Sequence, residues 1–207
     1  MTSMNVIYVT DLIGTGVFAI SGTLAALHKK KDHDILTLFI FAFVTAVGGG
    51  TLRDVIIHAY PVTWISDANY LIVILASALI AIVCRRWWLG ILQRPLLVFD
   101  TLGIGIFTIL GLEKALHAGV NPWAAVLLGI VSALFGGVIR DTLANEVPLV
   151  FERQLYATPC LTGALLYVLA LRLQIDPTVT FLVSVGVITG FRLLAVKKSW
   201  SLPPIRV

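Results

Sequence analysis

Two stretches of this chain set charges and glycines together inside apolar sequence: Ala46-Val-Gly-Gly-Gly-Thr-Leu-Arg-Asp54 and Ala133-Leu-Phe-Gly-Gly-Val-Ile-Arg-Asp141. An arginine at membrane depth costs about 2.5–3.5 kcal/mol even on the mildest insertion scale, so it must face protein or water and hold a partner. Asp11 or Asp54 is the expected partner of Arg53, and Asp100 or Asp141 that of Arg140. Such pairs either line a path or only brace the helices around it, since buried ion pairs often serve geometry. Gly48, Gly49 and Gly50, with Gly136 and Gly137, could break their helices and free backbone carbonyls to coordinate a cation. Close helix packing is the alternative use of small residues. Thr45 and Ser132 precede the glycines by about one turn. Their hydroxyls either face the same cavity or bond back to the preceding turn. The chemistry this predicts is ion coordination. No Ser/His/Asp, HExxH or phosphate-loop pattern occurs, so neither an enzyme nor a resident metal or cofactor is expected.

The elements that carry these residues are long and apolar. The 207 residues are 58% hydrophobic and 13% charged, with mean hydropathy +0.97. Soluble domains run nearer about 45–50% apolar and about 25% charged. Seven runs stand out, at about 5–27, 35–57, 68–84, 96–115, 122–145, 155–171 and 178–195. Each approaches the roughly 20 apolar residues that cross a bilayer. An all-α integral membrane protein follows, one membrane domain over 1–207, leaving no soluble domain of useful size. Cys84 and Cys160 lie far apart in apolar runs, as free packed thiols would. His28, His33 and His117 fall in predicted loops, and His58 follows the second run. Gly186-x-x-x-Gly190 in the last run is a helix-packing motif.

The net charge of +4 would suggest nucleic acid in a soluble protein. Here topology accounts for it. One side of the membrane, by loop parity, collects Lys29, Lys30, Lys31, Arg85, Arg86, Arg94, Arg153, Lys197, Lys198 and Arg206, while the other holds only Lys114 and Arg172. The positive-inside rule then puts the C-terminus in the cytoplasm and the N-terminus outside. No basic segment precedes the first run, so a cleaved signal peptide is not expected.

The chain also repeats itself. Asp11-Leu-Ile-Gly-Thr-Gly-Val-Phe-Ala-Ile-Ser-Gly22 matches Asp100-Thr-Leu-Gly-Ile-Gly-Ile-Phe-Thr-Ile-Leu-Gly111, and Pro61 and Pro148 follow Asp54 and Asp141 at equal distance. The halves are 5–84 and 96–171, each with three runs, and 178–195 is an appended seventh. Three is odd, so the second copy enters from the opposite side: an inverted 3+3 repeat plus one helix. Inverted repeats place ion or substrate paths at their interface.

The duplicated Gly-Gly-x-x-Arg-Asp motif, with Asp11 and Asp100 opening each half, resembles the bacterial branch of the trimeric intracellular cation channel (TRIC) family. The resemblance covers nearly the whole chain. It implies seven helices and a homotrimer in membrane lipid, with one pore per protomer between kinked second and fifth spans. It also implies conduction of monovalent cations, chiefly potassium with sodium passing, in a bacterial inner membrane. Glycine uptake is linked to some bacterial relatives. A secondary transporter of a small zwitterion such as glycine is therefore the second expectation.

Overall fold

The computed structural model describes residues 3–28, 33–91, 95–152 and 155–201. Lys29, Lys30, Lys31, Arg94, Arg153 and Arg206, on which much of the orientation argument rests, lie outside the described residues. The described chain is helical: α1 (Ser3–His28), α2 (Ile35–Ile56), a short α3 (Thr63–Ser66), α4 (Asn69–Ile91), α5 (Pro95–His117), α6 (Pro122–Leu143), a 3-10 turn (Leu149–Phe151), α7 (Ala157–Arg172) and α8 (Pro177–Lys197).

Local chemistry sets the helix ends. Asp34 caps α2 by accepting the Thr37 amide at 2.7 Å. Asn121 and Asp176 cap α6 and α8, each followed by a proline in the first turn, where its missing N–H costs nothing. Residues just past four helices adopt positive φ: His58 (56°), Asn145 (53°), Gln174 (57°) and Ser199 (52°). The next amide in each case reaches back to the last turn, as Ala59 N–H does to the Asp54 carbonyl and Glu146 N–H to that of Asp141. These turns satisfy carbonyls that a helix end leaves orphaned.

Among the described residues, six helices are long and apolar enough to cross a membrane: 6–28, 35–56, 69–88, 95–117, 122–143 and 177–197. The sixth of the seven expected spans is the shortest helix among them. There α7 has 16 residues, or roughly 24 Å of helix against roughly 30 Å of hydrocarbon. Part of that run's length goes instead to the turn through Tyr156.

α1 packs on α2 and α4, α5 packs on α6 and α7, and α8 lies against α5 and α7. Two crossings join the halves, α1 with α5 and α2 with α6. α5 is the most enclosed of the apolar helices and α4 the least. The outward faces carry large exposed apolar side chains such as Leu79, Val83, Leu127 and Leu182, as a lipid-facing surface would. Gly186-x-x-x-Gly190, expected to mark a tight contact, has open space at both glycines and packs on nothing within the described chain.

Candidate functional site

The second and fifth runs contain no unwound turn. α2 and α6 are helical straight through Gly48–Gly50 and Gly136–Gly137. These glycines let backbones touch. A Cβ on Gly49 would overlap the Ser132 carbonyl oxygen, and a Cβ on Gly136 would overlap that of Thr45. Gly49 and Gly136, and likewise Thr45 and Ser132, stand 87 residues apart at matched positions of the repeat. The contact is therefore reciprocal: each half offers its glycine to the other half's hydroxyl residue. Thr45 itself bonds back, donating to the Phe41 carbonyl at 2.6 Å. The Ser132 hydroxyl is buried without a partner.

Beyond the crossing lie two charged clusters. In the first, Arg53 donates from Nε and Nη2 to Asp54 Oδ1 at 2.9 and 2.8 Å. The other Asp54 oxygen accepts from the Thr63 hydroxyl at 3.0 Å and amide at 3.4 Å. Lys114 Nζ closes the cluster, 2.8 Å from Asp54 Oδ2 and 2.7 Å from Thr63 Oγ1. Asp11 is not bonded to Arg53; its carboxylate accepts from the Tyr70 hydroxyl at 2.6 Å.

The second cluster repeats this plan with different outer members. Arg140 Nε donates to Asp141 Oδ1 at 2.7 Å, and Nη1 donates to Asp100 Oδ1 at 2.6 Å and to Ser21 Oγ at 2.7 Å. Asp141 Oδ2 accepts the Leu149 amide at 3.1 Å, the counterpart of the Thr63 bond. Tyr156 donates to Asp100 Oδ2 at 2.8 Å, the counterpart of Tyr70 on Asp11. Of the two partners expected for each arginine, Arg53 takes Asp54 and Arg140 takes both.

The clusters also show how the long helices run. α1 carries Asp11 at the first cluster and Ser21 at the second, whereas α5 carries Asp100 at the second and Lys114 at the first. The two helices are therefore antiparallel.

Enclosure differs between the clusters. Arg140 has no exposed side-chain surface, and its Nη2 has no partner. The first cluster borders a cavity lined by Asp11, Thr15, Gly50, Arg53, Asp54 and Tyr70, with room for about one or two water-sized guests. Lys114, with 35% of its side chain exposed, is the least enclosed charge there. No group of three or more metal-ligating side chains occurs among the described residues.

Several of these residues were not singled out by sequence reasoning. Lys114, expected at the less basic membrane side near the end of the fourth run, sits in the last turn of α5. Its place was readable, because Ala115-Leu-His117 repeats Ala26-Leu-His28 and so sets Lys114 against Ala25. Tyr70 and Tyr156, 86 apart, were readable in the same way. A third buried arginine, Arg192 of α8, is 1% exposed, donates to the Leu155 carbonyl, and lies 4.7 Å from the Tyr156 ring centroid. A cation over an aromatic face is attracted by the ring quadrupole, which ties the appended helix to the second cluster.

Near one end of α1, Asp67 accepts from the Tyr8 hydroxyl at 2.6 Å. That bond holds the Asp67 carboxyl below the usual carboxylate range.

These features define a multi-pass, all-helical membrane protein whose repeated charges are each hydrogen-bonded inside the helix bundle. The chain belongs to the family described as "Glycine transporter", whose profile matches it twice, over 8–86 and again over 97–172. It is 37% identical over 205 residues to a UPF0126 membrane protein of Vibrio cholerae (96% of this chain, 82% of that one). It is also 37% identical over 164 residues to the UPF0126 inner membrane protein YadS of Escherichia coli (79% and 78%). Its fold is that of TRIC channels. It superposes on the TRIC trimeric intracellular cation channel orthologue from Rhodobacter sphaeroides with TM-score 0.84 (28% identity, 94% of this chain and 99% of that one). With a prokaryotic TRIC channel crystallised in 0.5 M KCl the TM-score is 0.86 (26% identity, 96% and 100%).

Proposed function

We propose that this protein is a monovalent cation channel, permeable to potassium, with a path through each protomer alongside the α2–α6 crossing. The observation that carries this reading is the water-sized cavity that Asp11, Asp54 and Tyr70 line together with Arg53, in a chain with the fold of cation channels. Carboxylate and hydroxyl oxygens can replace part of an ion's hydration shell. Each cluster sets carboxylates against its arginine, so the arginine does not leave a bare positive barrier to cations.

The path is shut in this conformation, because the α2 and α6 backbones meet at Gly49 and Gly136. Conduction requires those helices to part. The assembly is a homotrimer in lipid, one membrane domain per chain. Its two halves, 5–84 and 96–171, are inverted copies, and 178–195 is the seventh span. The antiparallel course of α1 and α5 and the doubled profile match support the inversion. The C-terminus is cytoplasmic by the distribution of basic residues, and the membrane is the bacterial inner membrane, a reading the designation of the Escherichia coli relative supports.

The family description favours a second reading, a secondary transporter of a small zwitterion such as glycine. There an arginine would take the carboxylate and Asp54 or Asp11 the ammonium.

Recording from the purified protein in planar bilayers separates the two. Unitary potassium currents are expected. Silent bilayers together with saturable glycine uptake into proteoliposomes would reject the channel.

A further inference from the structure

We propose that the pocket between the first two turns of α1, the last turn of α5 and the first two turns of α8 is a lipid site, where Glu113 takes the primary ammonium of an ethanolamine phospholipid headgroup. Such a site serves a channel and a transporter alike.

Position sets the kind of ligand. Val6, Ile7, Phe181 and Leu182 wall the pocket, and Glu113 is its acidic group. Three helix ends meet there, so it lies where the bundle leaves the hydrocarbon. Val6, Ile7 and Leu182 are exposed on the bundle surface, which opens the pocket towards lipid. Its occupant must be apolar along its length and polar at its head.

Charge sets the head. The Glu113 side chain is 15% exposed, and among the described residues no lysine or arginine nitrogen lies within 4.0 Å of it. Its neighbour Lys114 is held on Asp54. Tyr167 of α7, itself buried, faces the carboxyl with its hydroxyl. The Thr178 and Val179 amides that open α8 are taken by Asp176, so this helix end does not invite an anion. A carboxylate among apolar walls needs a charged donor, and a primary ammonium supplies three N–H groups. Hydrogen bonds between charged partners are about twice as strong as neutral ones. His117 Nε2 stands 4.0 Å from Glu113 on an exposed side chain, placed to donate to the phosphate beyond the ammonium.

Packing does not ask for this carboxylate. Glu113 corresponds in the repeat to Leu24, 89 residues earlier. The pocket beside Leu24 presents His28 and Arg85 and is lined by no acid. Glu113 is thus not part of the framework the two halves share.

The test reads lipid binding by thermal unfolding of the delipidated, detergent-purified protein. Short-chain phosphatidylethanolamine is compared with phosphatidylcholine of the same acyl chains, whose methyl groups keep the charge and remove the N–H donors. The wild-type midpoint should rise saturably with the ethanolamine lipid, on the order of 5 °C across the binding range, and little with the choline lipid. Glu113→Gln should respond to the two equally. Leu182→Trp keeps the carboxylate and narrows the pocket from its lipid side. It should lose most of the rise, and it provides the comparison if Glu113→Gln does not assemble.

Equal rises with both lipids in the wild type would overturn the proposal, as would an ethanolamine preference that survives Glu113→Gln. A rise with octylammonium chloride but none with phosphatidylethanolamine would overturn it by giving the pocket to free amines. A wild type indifferent to both lipids, with a Leu182→Trp protein that elutes as a smaller species in size exclusion, would overturn it by giving the face to a second copy of this chain.

Discussion

Phe18 and Phe107 stack face to face, ring centroids 5.2 Å apart and planes within 3°, and each is the other's counterpart in the repeat, 89 residues away. Matched glycines make room for them: a Cβ on Gly103 would strike the Phe18 ring, and one on Gly14 would stand 3.0 Å from that of Phe107. The stack therefore lies where the two halves meet. Either Phe→Ala change should cost about 3–5 kcal/mol. A double-mutant cycle should show coupling beyond additivity, since the rings touch. Additive losses in detergent unfolding would mean that the stack is incidental.

The glycines make a position-specific prediction. Gly49→Ala and Gly136→Ala drive a Cβ into backbone carbonyls of the facing helix and should destabilise by about 3 kcal/mol or more, at the upper end for overpacking. Gly50→Ala meets only ordinary contact with the Arg53 guanidinium at 3.7 Å. Gly48→Ala meets the flexible end of Ile139 at 2.9 Å. Both should be near neutral, because alanine's better helix propensity, worth about 1 kcal/mol, offsets the adjustment. Equal damage at 48, 49 and 50 in an unfolding assay would restore the broken-helix reading.

The two arginines should differ. Removing Arg140 strands Asp100 and Asp141 in a sealed site and should cost about 3–5 kcal/mol. Arg53→Ala should cost less, because Lys114 remains on Asp54. Combining Arg53→Ala with Lys114→Met should bring the loss close to that of Arg140→Ala. Comparing midpoints of the three variants checks the ranking.

The tyrosines are similarly unequal. Tyr156→Phe leaves Asp100 bonded to Arg140. Tyr70→Phe removes the one hydrogen bond that Asp11 accepts among the described residues. Each bond to a charged group is worth about 1.5–3 kcal/mol. The Tyr70 change should also alter potassium conductance, since both residues line the cavity. Unaltered currents in Tyr70→Phe would remove Asp11 from the proposed path.

Asp67 should add a pH dependence at the acid side. Its folded pKa is depressed by the Tyr8 hydroxyl. Its contribution to stability is therefore present above the unfolded carboxylate value of about 3.9 and is lost as pH falls through the folded value. Asp67→Asn should flatten that part of the unfolding-versus-pH curve, and an unchanged slope would assign it to other carboxylates.

The apolar runs, the repeat and the need of each arginine for a carboxylate were legible in the sequence, because hydropathy and the cost of a bare charge in lipid are local properties. Helix caps at Asp34, Asn121 and Asp176 belong to the same class, each acting within a few residues of its own position. What the glycines do was not legible. Gly49 reads identically whether its helix unwinds or is touched by another, and only the position of the Ser132 carbonyl, 83 residues on, separates the two. The choice of Tyr70 over Arg53 for Asp11, the arrival of Lys114 on Asp54, and the burial of Arg192 beside Tyr156 are of the same kind. Each depends on distances between helices remote in sequence, and those are set by how whole helix faces pack.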